Sequence, residues 1–377
     1  MAGEAPSRKI SPASARAHTR KRSQGSSPPS PIRILKQVVV LSLIGGLACL
    51  YQATRPPPPK ICGSVDGPPV TADRVELSDG RFLAYKEHGV PRDVAKYKIV
   101  YVHGFDSCRH DAAVANSLSP DLFEELGIYI VSFDRPGYGE SDPNPRGTVK
   151  SLALDVEELA DQLKLGPKFY IVGLSLGGEM VWGCLKYIPH RLAGATLLAP
   201  VINYWWSGLP ANLSKEAYYQ QFPQDQWTLR VAHYAPWLTH WWNTQKWFPS
   251  SSVIAKSRNV LSQDDKDLMP KLLHREKYKA QVRQQGEYWS LHRDVNLAFG
   301  SWEFSPIDLQ NPFPNGEGSV HLWHGDEDLY VPVSLQRYIA QQLPWITYHE
   351  LPGRGHKFPH ADGLSDTIIR TLLLGEK

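Results

Sequence analysis

The sequence predicts an α/β protein: a doubly wound, mostly parallel sheet with a helical insert, preceded by an apolar anchor segment. Three observations carry this. Apolar runs of strand length alternate with helical patterns from residue 74 to 206 and again from 311 to the end. Between them, from about 205 to 311, the pattern changes to helices and loops and holds nine of the 12 tryptophans. Ahead of both, a basic, Ser- and Pro-rich tail runs into 14 uncharged residues, Val38 to Tyr51.

Residues 1–37 carry Arg8, Lys9, Arg16, Arg20, Lys21, Arg22, Arg33 and Lys36 among serines and prolines. This composition buries too little apolar surface to fold and predicts a disordered tail. The next segment, 38–53, is read as a transmembrane anchor. Extended to Ile32–Ala53 it has 22 residues, against the roughly 20 that a bilayer requires, with Arg33 and Lys36 snorkelling and Tyr51 at the interface. A cleaved signal peptide fits less well, because its basic part would be long and no A-x-A site follows. An organelle transit peptide, cleaved to leave a soluble protein, is the second reading, since the start is rich in Arg and Ser and poor in acids. Basic residues before the anchor place the N-terminus in the cytoplasm and the remainder in a lumen or outside. The sequon Asn212-Leu213-Ser214 is compatible with that side. Residues 54–73, with Pro56 to Pro59, read as a stiff linker.

The folded part then unrolls in order. Residues 74–77 and 81–88 read as a hairpin across Ser78-Asp79-Gly80. The runs 98–103, 128–134, 168–174 and 195–199 are buried parallel strands, with an amphipathic helix over 149–165 that places Leu152, Val156, Leu159 and Leu163 on one stripe. After the insert come a strand at 319–323, a helix at 334–343, a strand at 346–351 and a closing helix at 364–374. The core is therefore 74–206 with 311–377, and the helical, Trp-rich cap is 207–310.

Charge excludes one class of function. Residues 1–65 hold ten of the 41 Lys and Arg but one of the 38 Asp and Glu, which leaves 31 against 37, or −6, for residues 66–377. A folded part of that sign is not a nucleic-acid binder. Four cysteines without a CxxC pair make neither a disulfide scaffold nor a zinc site.

The chemistry lies where strand meets helix. The strand at 168–174 enters Gly173-Leu174-Ser175-Leu176-Gly177, followed by a helical pattern. Glycines let the chain turn sharply there and lift the Ser175 hydroxyl to a helix N-terminus. A serine nucleophile needs a base, and the base an orienting acid. His356, in Gly353-Arg354-Gly355-His356 just after the last strand, is the candidate base. Asp326, Glu327 and Asp328 follow the preceding strand; Asp328, just before the next helix, is preferred, and Asp326 is the runner-up. The oxyanion needs two amides already aimed at it, and Leu176 and Phe105, in the His103-Gly104-Phe105 turn, are the candidates. Cys184, behind the serine turn, reads as a buried core thiol, and the His88…Asp93 spacing as chance.

Over residues 74–374 the sequence resembles the capped, serine-nucleophile branch of the α/β-hydrolase superfamily. The resemblance rests on His103-Gly104-Phe105, the turn Asp134-Arg135-Pro136-Gly137-Tyr138-Gly139-Glu140-Ser141, the Ser175 elbow, and the Asp328 and His356 segments. It implies the α/β-hydrolase fold, a structural role for the Asp134–Ser141 turn, and no carboxylate nucleophile of the epoxide-hydrolase kind. No HGGG loop is present, and Asp106 departs from the small residue or proline common after the oxyanion turn. The expected activity is hydrolysis, with no cofactor or metal, of an ester or related acyl compound, apolar as the aromatic cap suggests, with thioester or carbon–carbon bond hydrolysis as a further option on the same residues. A ligand-binding receptor on the same fold is the alternative.

Overall fold

The computed structural model describes residues 30–376. Residues 1–29, and with them most of the expected basic tail, lie outside the described residues. The chain divides into two compact units, one ending at Ala53 and one beginning at Thr54. In the first, Pro31–Thr54 forms one continuous 24-residue helix with no buried residue. At about 1.5 Å per residue it spans roughly 36 Å, enough for a hydrocarbon layer of ~30 Å. By length and composition it is able to cross a membrane.

The second unit is built on one eight-stranded sheet. Its strands are β1 (Arg74–Glu76), β2 (Phe82–Gly89), β3 (Tyr97–Val102), β4 (Ile128–Phe133), β5 (Phe169–Leu174), β6 (Leu192–Leu198), β7 (Val320–Gly325) and β8 (Ile346–Leu351), in the order β1-β2-β4-β3-β5-β6-β7-β8. β2 pairs antiparallel with β1 and β4, and every later pairing is parallel. Parallel strands are covered on both faces, which is why β3 and β4 read as unbroken apolar runs. On β3, Val100 and Val102 enter one core and Ile99 and Tyr101 the other. The first core packs helices Val149–Gln162 and Leu176–Tyr187; the second packs Ala113–Ser117 and Leu364–Leu374.

Local chemistry sets the boundaries. Thr148 caps the helix Val149–Gln162 by accepting from the Ser151 amide, and Ser151 returns a bond to the Thr148 amide. That helix buries Leu152, Val156 and Leu159, and its buried Asp155 takes a two-pronged bond from Arg81 on the hairpin. Two short helices, Ala113–Ser117 and Pro120–Leu126, occupy the β3–β4 connection, where no helical period is long enough to be read from sequence. β6 starts at Leu192, three residues earlier than its apolar run suggests.

The proline stretch, Pro56 to Pro59, is in neither helix nor strand and rests on the folded unit. Trp289 Nε1 donates to the Pro57 carbonyl at 2.9 Å, and the Lys60 amide to the Gln285 carbonyl at 3.0 Å. Further on, Glu140 accepts from the Thr71 and Ala72 amides. Between β6 and β7 the chain leaves the sheet for a series of short helices, from Ala211–Tyr219 to Arg293–Phe299. They cover the C-terminal ends of the strands, where a doubly wound sheet presents its ligand crevice.

Candidate active site

Ser175 sits between β5 and the helix Leu176–Tyr187 at φ +58°, ψ −121°, a conformation that costs an L-residue on the order of 1–3 kcal/mol. The flanking glycines make the turn possible. A Cβ on Gly177 would lie 2.1 Å from the Val102 carbonyl oxygen, and one on Gly173 would lie 2.3 Å from the Gly177 carbonyl oxygen. The Ser175 amide is anchored to the Leu198 carbonyl at 2.8 Å. Its hydroxyl makes no hydrogen bond among the described residues and faces a cavity.

The loop after β7 brings Asp328, and not Asp326, to the histidine. His356 Nδ1 donates to Asp328 Oδ2 at 2.6 Å, while Asp328 Oδ1 accepts from the Tyr330 and Val331 amides at 2.8 and 3.0 Å. Burial alone would raise the Asp328 carboxyl; the His356 ring, the bond to it, His324 and the Val331 amide outweigh burial and hold it below its ordinary range. With the proton on Nδ1, Nε2 of His356 is left as an acceptor. His324 closes the back of Asp328, its Nε2 3.6 Å from Oδ2 and donating to the Val331 carbonyl. Asp326 instead accepts from the Gly353 amide at 2.6 Å and pins the β8 turn.

The loop after β3 faces Ser175 across Gly104, whose Cβ position lies 3.2 Å from that of Ser175. Neither the Phe105 nor the Leu176 amide donates a hydrogen bond among the described residues. The loop is held from beneath by Arg135: Nε bonds the His103 carbonyl at 2.9 Å and Nη2 the Gly104 carbonyl at 3.0 Å. Arg135 in turn grips Asp294 of the insert, which also accepts from Tyr138 Oη at 2.8 Å. Burial, then the Arg135 charge, keeps His103 well below its ordinary pKa; its neutral ring accepts the Arg135 amide on Nε2 and bonds Gly104 through Nδ1. The Asp134–Ser141 turn is thus the scaffold of the Gly104–Phe105 loop.

Ser175, His356 and Phe105 line one cavity of about 390 Å³, roofed by insert residues such as Val253, Leu261, Leu272, Tyr278 and Val282. Among the described residues, no group of three or more His, Cys, Asp or Glu is placed to hold a metal ion.

The profile of the alpha/beta hydrolase family matches residues 99–366. The chain belongs to that family. No curated protein matches it in sequence. Solved structures agree on the fold at low identity. A thermophilic esterase from Thermogutta terrifontis aligns with a TM-score of 0.55 and 18% identity, over 80% of this chain and 98% of its own. An enol-lactonase from Burkholderia xenovorans LB400 aligns at 0.56 and 16%, over 81% and 100%. An esterase from Rhodococcus sp. ECU1013 aligns at 0.52 and 16%, over 80% and 98%.

The structure of this alpha/beta hydrolase also corrects one expectation. None of the nine insert tryptophans lines the cavity. Trp205 stacks on His233, Trp206 packs on Trp302, Trp227 packs on Trp242, and Trp247 is 77% exposed. The argument from tryptophan to an apolar substrate therefore loses its footing. The wall is mixed instead, with Asp106, Lys256, Arg275 and Lys357 among the lining residues.

Sequence reasoning missed three contributors. Asp106, at φ +50°, pairs with Arg283 and Lys256 of the insert, a partnership that no local pattern announces. Tyr330 lies against the His356 ring, with centroids 4.9 Å apart. Glu179, one turn past the elbow, is fully buried with neither carboxyl oxygen bonded among the described residues. Burial and then the nearby Asp294 push its pKa well above the ordinary value, against the pull of Arg135. Cys184 is a buried thiol, raised by burial to about 12.

Proposed function

We propose that the chain is a serine hydrolase that cleaves an ester or related acyl compound through an acyl-enzyme. One observation carries this reading: the 2.6 Å His356–Asp328 pair shares a cavity with an elbow serine that is flanked by two undonated amides. In the proposed cycle, Nε2 of His356 takes the Ser175 proton as Oγ attacks the carbonyl carbon. The Phe105 and Leu176 amides receive the oxyanion, and Asp328 steadies the imidazolium. His356 then returns the proton to the leaving group, and water, activated by the same ring, frees the acyl group. The Ser175–His356 bond, absent here, would tighten when substrate is bound, as such bonds commonly do. The esterases among the structural neighbours support hydrolysis of this kind.

We further propose that the helix Pro31–Thr54 anchors the enzyme in a membrane, with the catalytic unit, comprising core 74–206 and 311–377 and cap 207–310, on the non-cytoplasmic side.

The test is a fluorophosphonate probe. Rapid labelling that Ser175→Ala abolishes, together with loss of p-nitrophenyl ester turnover in that variant, is the expected result. Slow or absent labelling of a folded protein would favour a ligand-binding receptor on the same fold.

A further inference from the structure

The cavity wall carries an unbalanced charge. Its cations are Lys256, Arg275, Lys279 and Lys357, and its carboxylates are Asp106, Asp111 and Glu276. Three cations are matched: Lys256 to Asp106 at 2.8 Å, Arg275 to Asp111 at 2.8 Å and Lys279 to Glu276 at 2.9 Å. Of the four lining histidines, His110 and His360 add no charge, since burial pulls both to about 4. Asp106 is shared with Arg283, which also pairs with Glu287, so the lining cation left without a carboxylate partner among the described residues is Lys357.

Lys357 immediately follows His356. Its amide is fixed by Asp265 Oδ1 at 2.7 Å. Its ammonium lies 5.8 Å from the centroid of the Tyr330 ring, and that ring packs on His356. Among the described residues the ammonium has no hydrogen bond and no ion pair. Burial, reinforced by Arg275, lowers its pKa against the pull of Asp265, Asp111 and Asp328, none of which bonds the ammonium. An ammonium so placed costs stability that an arriving anion restores.

We propose that Lys357 makes this site selective for a monoanionic acyl compound, in which a carboxylate at the far end of the acyl chain pairs with the ammonium while the scissile carbonyl meets Ser175. A single leftover charge fits one carboxylate rather than a phosphate dianion, because the remaining cations are already paired. Lys357 thus binds and positions substrate and has no part in proton transfer. The inference rests on the serine-hydrolase reading for its turnover test but not for its binding test.

The experiment uses the full-length chain in detergent and matched p-nitrophenyl esters: half-esters of succinate, adipate and suberate against butyrate, hexanoate and octanoate. At least one half-ester should exceed its neutral match by roughly 10-fold in kcat/KM, mostly through KM, the scale of a charge-assisted hydrogen bond. Lys357→Met should erase the preference, Lys357→Arg should retain it, and added salt should weaken it. In parallel, calorimetry on Ser175→Ala compares monomethyl adipate with methyl hexanoate, and again with Lys357→Met added. Turnover without a preference for any half-ester, or a preference that survives Lys357→Met, overturns the proposal and leaves the hydrolase reading intact. Lys357-dependent binding of the monoanion without turnover upholds the proposal and sinks the hydrolase reading.

Discussion

Asp106 and Arg283 form a two-pronged ion pair, Nε to Oδ1 at 2.7 Å and Nη2 to Oδ2 at 2.8 Å. It ties the residue after Phe105 to the insert. Burial would raise the Asp106 carboxyl, but Arg283 and Lys256 outweigh it and hold it below its ordinary value. Since Phe105 is the proposed oxyanion donor, loosening its neighbour should misplace the amide. We predict that Asp106→Ala lowers kcat on the order of 10-fold, with a smaller change in KM. Arg283→Ala should cost about as much, and the double variant little more than either. Additive losses would show that the two residues act separately.

The two aspartates after β7 separate cleanly by position. Asp328→Asn removes the acceptor that fixes the His356 tautomer, and turnover should fall by roughly 10⁴-fold. Asp326→Asn keeps an oxygen for the Gly353 amide and should fall less than about 3-fold, since a neutral acceptor serves a backbone donor nearly as well. Steady-state kinetics on the two purified variants decides the matter. A crippled Asp326→Asn enzyme would reverse the assignment.

Glu179 makes a pH prediction. Its carboxyl pKa is raised in the folded protein, so below the unfolded value, about 4.3, both states are protonated and burial carries no ionisation cost. Above that value the unfolded chain gains by ionising while the folded chain does not, and stability falls as pH rises toward the folded pKa. Glu179→Gln removes this loss. Its Tm should exceed that of the parent at pH 8 by clearly more than at pH 5, measured by calorimetry. A constant offset across that window would mean that Glu179 is ionised throughout.

The apolar helix predicts membrane retention. Full-length protein should resist carbonate extraction, and a shortened chain beginning at Arg55 should be soluble and active, because it keeps the Pro57 contact with Trp289. Asn212 is exposed near the start of the helix Ala211–Tyr219, so a lumenal domain should carry a glycan there that an N-glycanase removes. Release by carbonate, or a mature N-terminus beyond Tyr51, would mean a cleaved targeting segment.

Most of the fold was legible because its signals are local. Apolar runs on β3, β4 and β5, the glycines around Ser175 and the stop between helix and strand each act within a few residues. The elbow, the order Ser175, Asp328, His356 and the Asp134–Ser141 turn were readable for the same reason. The ion pairs that escaped depend on separations of more than a hundred residues. Asp106 finds Arg283 177 positions away, and Arg135 finds Asp294 159 positions away. The tryptophans misled for a related reason: composition gives their number, but only packing decides whether they face a cavity or one another.

The contact between Arg135 and Asp294 fastens the insert to the loop after β3. Both side chains are almost wholly shut off from solvent, and parting such a couple costs about 3–5 kcal/mol. The pair works as a rivet, so the roof does not swing up as one piece. A second tie, from Lys256 of the insert to Asp106, ends in an ammonium that water already reaches. Alone that tie would slip at little expense, but Arg283 grips the same Asp106 with two further bonds. Added salt should therefore loosen the Lys256 tie well before it reaches Arg135 and Asp294, and the rivet keeps the loop after β3 seated beside Ser175.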